Sequence, residues 1–209
     1  MRKYLGSNVE STGMNHSTAS PEVGSGLMTL SGAQAEVRAV YLGGSVGQLV
    51  SALVWLKSAA IATFVDPKAG FWVLAIGGAA IFPVTQALLR LAGRRASLDP
   101  RNPLRHLAMQ IAFTVPLVLP LAGASALHSA GWFYPACLII VGAHYLPFVF
   151  LHGMKTFAAL AGAMLCAGFA TGLLAPDRIA IGGWVGGGIL FAFAFALLAA
   201  YRKGRAAGA

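Results

Sequence analysis

Apolar residues in this chain fall into six long blocks separated by short polar or turn-forming segments. The blocks run over about 40–60, 71–91, 105–127, 132–152, 156–175 and 180–201. Each supplies the roughly 20 apolar residues that a helix needs to cross a bilayer core. The pattern predicts an all-α fold, a polytopic bundle of six transmembrane helices. Asp66-Pro67 and Pro176-Asp177 break two connections, and Asn102-Pro103 has the form of an N-cap followed by Pro at the first helical position. Ahead of the blocks, residues 1–30 are polar, rich in Ser, Gly and Asn, and without apolar periodicity. They read as a disordered tail lacking the apolar centre of a signal peptide. The six-helix domain is expected over 31–205, opening on Ser31-Gly-Ala-Gln34 as a capping box.

Composition agrees. The chain is 57% apolar and only 10% charged, against about a quarter charged in soluble proteins. A net charge of +9 could suggest nucleic acid, but the basic residues lie between the apolar blocks, so no nucleic-acid partner is expected. They act instead as topology signals. With the N-terminus in the cytoplasm, that side holds Arg2, Lys3, Arg38, Arg90, Arg94, Arg95, Arg101, Arg105, Lys155, Arg202, Lys203 and Arg205, and the other side holds Lys57, Lys68 and Arg178, or 12 against 3. Six spans then place both termini in the cytoplasm. Cys137 and Cys166 lie inside apolar blocks and read as small buried hydrophobes, not as a disulfide or metal pair. Trp72, Trp132 and Trp184 mark the outer ends of three helices, as an interfacial aromatic belt does.

Polar residues within the blocks carry what chemistry there is. In the first, Tyr41, Gly44, Gln48, Ser51, Trp55 and Ser58 are spaced 3, 4, 3, 4 and 3, and so share one helix face. Interhelical hydrogen bonding is the simpler role for that stripe, and lining a polar cavity the functional one. Lys57 is nine residues from Gln48, about 180° away at about 100° per residue, and is expected to snorkel toward the outer headgroups. In the fourth block His144 lies near mid-membrane, and Pro147 frees the carbonyl of Ala143 and can kink the helix. Tyr145 and His152, seven apart, share a face. His106, Gln110 and Thr114 recur every four residues in the third block, and Gln86 follows Pro83 in the second. The candidate polar cavity is therefore Gln48, Ser51, Gln86, Gln110, His144 and Tyr145, an inward-facing vestibule. Gly43 and Gly47, Gly168 and Gly172, Gly182 and Gly186, and Gly183 and Gly187 stand four apart, which suits close helix packing within one subunit.

No nucleophile-base order, phosphate loop or intramembrane carboxylate is present, since the acids fall only at 10, 22, 36, 66, 99 and 177. No catalytic residue, metal site or cofactor is expected, and the chain does not read as an enzyme.

Several motifs carry a resemblance: Tyr41-Leu-Gly-Gly44, Gly47-Gln-Leu-Val-Ser51, Val54-Trp-Leu56, Asn102-Pro-Leu104, Trp132-Phe-Tyr-Pro135, Gly142-Ala-His-Tyr-Leu-Pro-Phe148 and Gly153-Met154. Over roughly residues 38–155 the chain resembles a family of small, mostly bacterial, six-helix membrane proteins catalogued only as a domain of unknown function. The resemblance implies a multi-pass protein of the bacterial inner membrane and brings no activity. Two functions stay open. One is permeation of a small solute or ion through the vestibule. The other is a non-catalytic scaffold, sensor or lipid-interacting role with the bilayer as partner. The sequence does not specify an oligomeric state.

Overall fold

Interruptions in the apolar runs decide the architecture. A computed structural model describes residues 28–207, so residues 1–27 of the expected tail lie outside the described residues. The helices are α1 (Leu30–Tyr41), α2 (Ser45–Phe64), α3 (Pro67–Leu91), α4 (Leu104–His128), α5 (Phe133–His144), α6 (Leu146–His152), α7 (Thr156–Leu174) and α8 (Ile181–Ala207), with no strand among the described residues. Six stretches are long and apolar enough to cross a membrane, the first comprising α1 with α2 and the fourth α5 with α6.

The start of the first stretch departs from the sequence reading. Thr29 caps α1, its Oγ1 accepting the Gly32 amide at 3.2 Å. The Ser31 box does not form because Gln34 is engaged elsewhere, its Nε2 donating to the Phe150 carbonyl at 2.6 Å. The chain then breaks at Leu42–Gly44, where φ is 51°, 64° and 87° in turn. A left-handed leucine between helices is strained, and the two glycines beside it make the turn affordable. The expected stripe is thereby divided. Half-buried Tyr41 ends α1, whereas Gln48, Ser51, Trp55 and Ser58 are buried along α2. Lys57 is exposed on the other side of α2.

The fourth stretch breaks at Tyr145, immediately before Leu146-Pro147. The α6 segment ends on Gly153, in the left-handed conformation typical of a helix C-terminus. Its terminal carbonyls are taken by α1, for Arg38 Nη1 donates to the His152 carbonyl at 2.6 Å and Gln34 takes Phe150. A Cβ on Gly153 would stand 2.6 Å from Gln34 Oε1, so a larger residue there would have to displace the Gln34 side chain.

The connection between α3 and α4 docks on α1. Asn102 Oδ1 accepts the Leu104 amide at 2.8 Å, the capping role expected of it, while its Nδ2 donates to Glu36 Oε2 at 2.8 Å and to the Ala33 carbonyl at 3.1 Å. Glu36 Oε1 accepts the Asp99 amide at 2.7 Å.

Within the bundle α2 packs along both α8 and α3, α5 packs on α7 and α4, and α3 and α4 touch only narrowly. The end away from the α1 turn is tightly closed. Ser58 Oγ donates to the Gly70 carbonyl at 2.8 Å. Its single hydrogen is thus committed, so Tyr134 Oη is the donor in the 2.6 Å contact with Ser58. Phe71 stacks on Phe133 with ring centres 4.0 Å apart. Trp184 Nε1 donates to Thr63 Oγ1 at 3.1 Å, and Trp72 is largely exposed. Cys137 is buried as expected, but Cys166 is exposed, because it falls on the face of α7 turned away from α5 and α8.

Candidate functional site

The narrow contact between α3 and α4 leaves room behind it. A cavity of about 420 Å³ lies among α2, α3, α4 and the α5–α6 break. Pockets of roughly 300–1,000 Å³ suit one small organic molecule. The α3 and α4 walls contribute small residues, Gly78 and Ala79 from α3 and Ala108 and Ala112 from α4. A Cβ added to Gly78 would meet nothing within 4 Å. Next to it, a Cβ on Gly77 would come within 2.7 Å of Val54, so one face of α3 is fitted to α2 while the adjoining face borders open space.

Polarity is uneven along the cavity. At one end Trp55, Leu74, Leu119 and Cys137 form an apolar floor. Beneath it lies the packed layer of Ser58, Tyr134, Phe71 and Phe133. At the other end stand Tyr41, Gln48, Ser51, Thr85, His144 and His152. Among the described residues no Asp, Glu, Lys or Arg side chain lines the cavity.

The break at Tyr145 turns that side chain toward α2, and its hydroxyl donates to Gln48 Oε1 at 3.1 Å with both residues buried. His152 is 2% exposed. Phe148 stacks on its ring at 5.5 Å and 9°, and Phe157 approaches to 4.7 Å. Although its main chain is held by Arg38, neither ring nitrogen has a hydrogen-bond partner among the described residues. Nε2 faces Gly44, 3.5 Å from where a Cβ would stand, so the glycine that forms the α1–α2 turn also leaves space before the imidazole. His144 Nδ1 is likewise buried and unpartnered among the described residues. A buried polar atom without a partner costs about 1–3 kcal/mol, and these atoms border one cavity, where water or a ligand can meet them.

Of the sequence candidates, Gln48, Ser51, His144 and Tyr145 line this cavity. Gln86 is not among the lining residues; it is half-buried beside Tyr41, its Nε2 3.5 Å from Tyr41 Oη and its Oε1 unpartnered among the described residues. Gln110 is a correction. It is exposed on the outside of α4 with His106 and Thr114, because α4 turns Ala108, Ile111, Ala112 and Val115 inward instead. Among the described residues no group of three His, Cys, Asp or Glu side chains is placed to hold a metal.

A family model described as a family of unknown function, DUF7010, matches residues 30–200. The chain belongs to the DUF7010 family. The DUF7010 match runs from the first residue of α1 to within a few residues of the end of α8, and it encloses every residue of the cavity. No curated protein and no solved structure matches the chain. For this DUF7010 protein the site is therefore read from its own geometry. Sequence reasoning left His152 out of the candidate set, although its seven-residue spacing from Tyr145 was visible. It also missed Thr85 and the small residues of α3 and α4, whose contribution is the space they leave.

Proposed function

We propose that this protein is a multi-pass protein of the bacterial inner membrane, with both termini in the cytoplasm, that binds one small uncharged amphiphile within the bundle. The observation that carries this reading is the cavity itself, apolar over most of its wall and polar at one end. There the unpartnered nitrogens of His152 and His144 stand beside the Tyr145–Gln48 pair. The apolar part would take a hydrocarbon body. The imidazoles would take a hydroxyl, carbonyl or amide, each able to donate or accept. The lack of charged lining disfavours an ion or a charged headgroup. Since α3 and α4 touch only narrowly, the ligand would enter between them from the bilayer.

Permeation of a small solute or ion is the less favoured reading, because the stacked Phe71 and Phe133 and the Ser58–Tyr134–Gly70 contacts close the apolar end. The role proposed is binding without covalent chemistry, as in a sensor or lipid-interacting protein.

Trp55 reports on the cavity floor. In a variant with Trp72, Trp132 and Trp184 replaced by Phe, a brominated long-chain alcohol should quench the remaining fluorescence saturably. His152→Leu should weaken that binding about 2–10-fold, as expected for one lost hydrogen bond. Linear, unsaturable quenching that ignores His152 would refute the reading. Orientation is tested separately with cysteines placed at 99 and 129 in a background lacking Cys137 and Cys166. Position 129 should react with an impermeant reagent on intact cells, and labelling of 99 there would reverse the topology.

A further inference from the structure

A second concavity, distinct from the cavity, lies where the start of α2 meets the end of α8. It is an open groove of about 750 Å³ bordered by Arg94, Arg202 and Arg205 at its rim and by Leu49, Phe195 and Leu198 along its wall. We infer that this groove binds the headgroup and upper acyl chain of an anionic phospholipid in the leaflet on the side of the termini.

Charge comes first. Three arginines border one groove, and no acid does among the described residues. The described acids of this end are engaged elsewhere, for Glu36 accepts from Asn102 and from the Asp99 amide, and Asp99 pairs with Arg101. None of the three arginines forms an ion pair among the described residues. Arg94 Nη2 donates to the Ala39 carbonyl at 2.9 Å, which fixes the side chain, while its Nε is buried without a partner among the described residues. The first turn of α2, which contributes Ser45 and Val46 to the groove, has only Gly44 before it and no side-chain cap. An uncapped helix start adds partial positive charge.

Depth selects the source of the anion. Phe195 lies seven residues before Arg202 on α8, roughly 10 Å further into the bundle at about 1.5 Å per residue. Leu49 lies one turn further in than Ser45 on α2. Both are exposed, Phe195 at 56% and Leu49 at 36%. A charged rim above an exposed apolar wall matches a lipid with phosphate outward and chain inward. A free phosphate would use only the rim.

The test compares retention of phosphatidylglycerol and phosphatidylcholine of matched chains by the full-length protein in native mass spectrometry. Phosphatidylglycerol should be retained one-to-one and should raise the Tm. Arg202→Gln with Arg205→Gln should lower that retention about 10- to 30-fold. Arg95→Gln with Arg101→Gln, which removes as much charge from the same end, should not. Arg94 is left intact because it holds Ala39. Phe195→Ala should weaken retention at unchanged charge. Equal retention of the two lipids, an equal loss in the Arg95–Arg101 control, or an equal Tm rise with glycerol phosphate would each overturn the inference.

Discussion

Glycine and alanine do opposite work at two helix pairings of this bundle. Between α2 and α8 they admit a neighbour. A Cβ on Gly186 would stand 2.5 Å from the Trp55 ring, one on Gly187 2.7 Å from Leu56, and one on Gly183 2.9 Å from Ala59. Between α3 and α4 they leave space, for Gly78, Ala79, Ala108 and Ala112 line the cavity and a Cβ on Gly78 would meet nothing within 4 Å. Burial follows. The most apolar window is 44% buried in the first stretch and 39% in the last, but 17% in α3 and 11% in α4. Where water is absent, helix association depends on close packing and interhelical hydrogen bonds. The α2–α8 pairing is built that way. The α3 and α4 helices are instead held on their outer flanks, α3 by α2 and α4 by α5, with their shared side left open.

The sharpest way to break this contrast is one substitution at both places. Gly186→Leu should damage the fold heavily, since overpacking costs about 1–3 kcal/mol or more and the new side chain would meet both the Trp55 ring at 2.5 Å and Leu138 at 3.0 Å. Gly78→Leu should leave thermal stability equal or higher, because a helical glycine is replaced and its side chain enters open space. The same variant should abolish the saturable quenching of Trp55 by a brominated alcohol. Melting curves for both in one detergent decide the matter, and equal damage would mean that α3 and α4 close on each other.

Asn102→Ala sharpens it next. If α4 is anchored at its start and not along its length, loss of this residue should cost about 0.5–2 kcal/mol, as for other N-caps. Hydrogen exchange should then rise in the first turns of α4 and in α1, with α7 and α8 unchanged. Protection lost evenly across the molecule would contradict a local anchor.

A smaller effect separates two polar residues of α2. Gln48→Leu leaves the Tyr145 hydroxyl without its acceptor, and interhelical bonds of this kind contribute about 0.6 kcal/mol on average and up to roughly 1.7. Lys57→Leu removes an exposed charge and no buried bond. Gln48→Leu should therefore lower the Tm more than Lys57→Leu, with Tyr145→Phe close to Gln48→Leu and not additive with it. Additivity of the two would show that the bond is unimportant.

The degree to which the sequence discloses these features follows from the kind of signal each leaves. Long apolar blocks, the Asn102-Pro103 start and the break before Pro147 rest on local chemistry, so they are readable in one dimension. Gln48 and Tyr145 are readable because an amide and a phenol buried in apolar blocks need partners. The turn at Leu42–Gly44 is hidden among the 26 glycines of the chain, where positive φ leaves no separate mark. Likewise Gly77 and Gly78 are adjacent and identical, yet one meets Val54 and the other meets nothing within 4 Å. Only tertiary placement distinguishes a small residue that admits a helix from one that leaves a space.

Gln110→Leu should have the smallest effect of all, and it tests the rule by which Gln110 was expected inside. An amide in a transmembrane block points inward when no other polar surface can receive it. On α4 the apolar residues Ile111 and Val115, with Ala108 and Ala112, already face the bundle, so Gln110 falls outside with Met109 and Phe113. Its position one and a half turns from the helix start at Leu104 puts it about 9 Å along the axis, a depth from which an amide can reach toward interfacial water. Removing it breaks no bond to another helix among the described residues. Its stability should stay within about 0.5 kcal/mol of the parent, the usual range for a surface substitution, and Trp55 quenching should be unchanged. A loss as large as that of Gln48→Leu would place Gln110 against another helix, and the facing of α4, with the α3–α4 opening that depends on it, would be wrong.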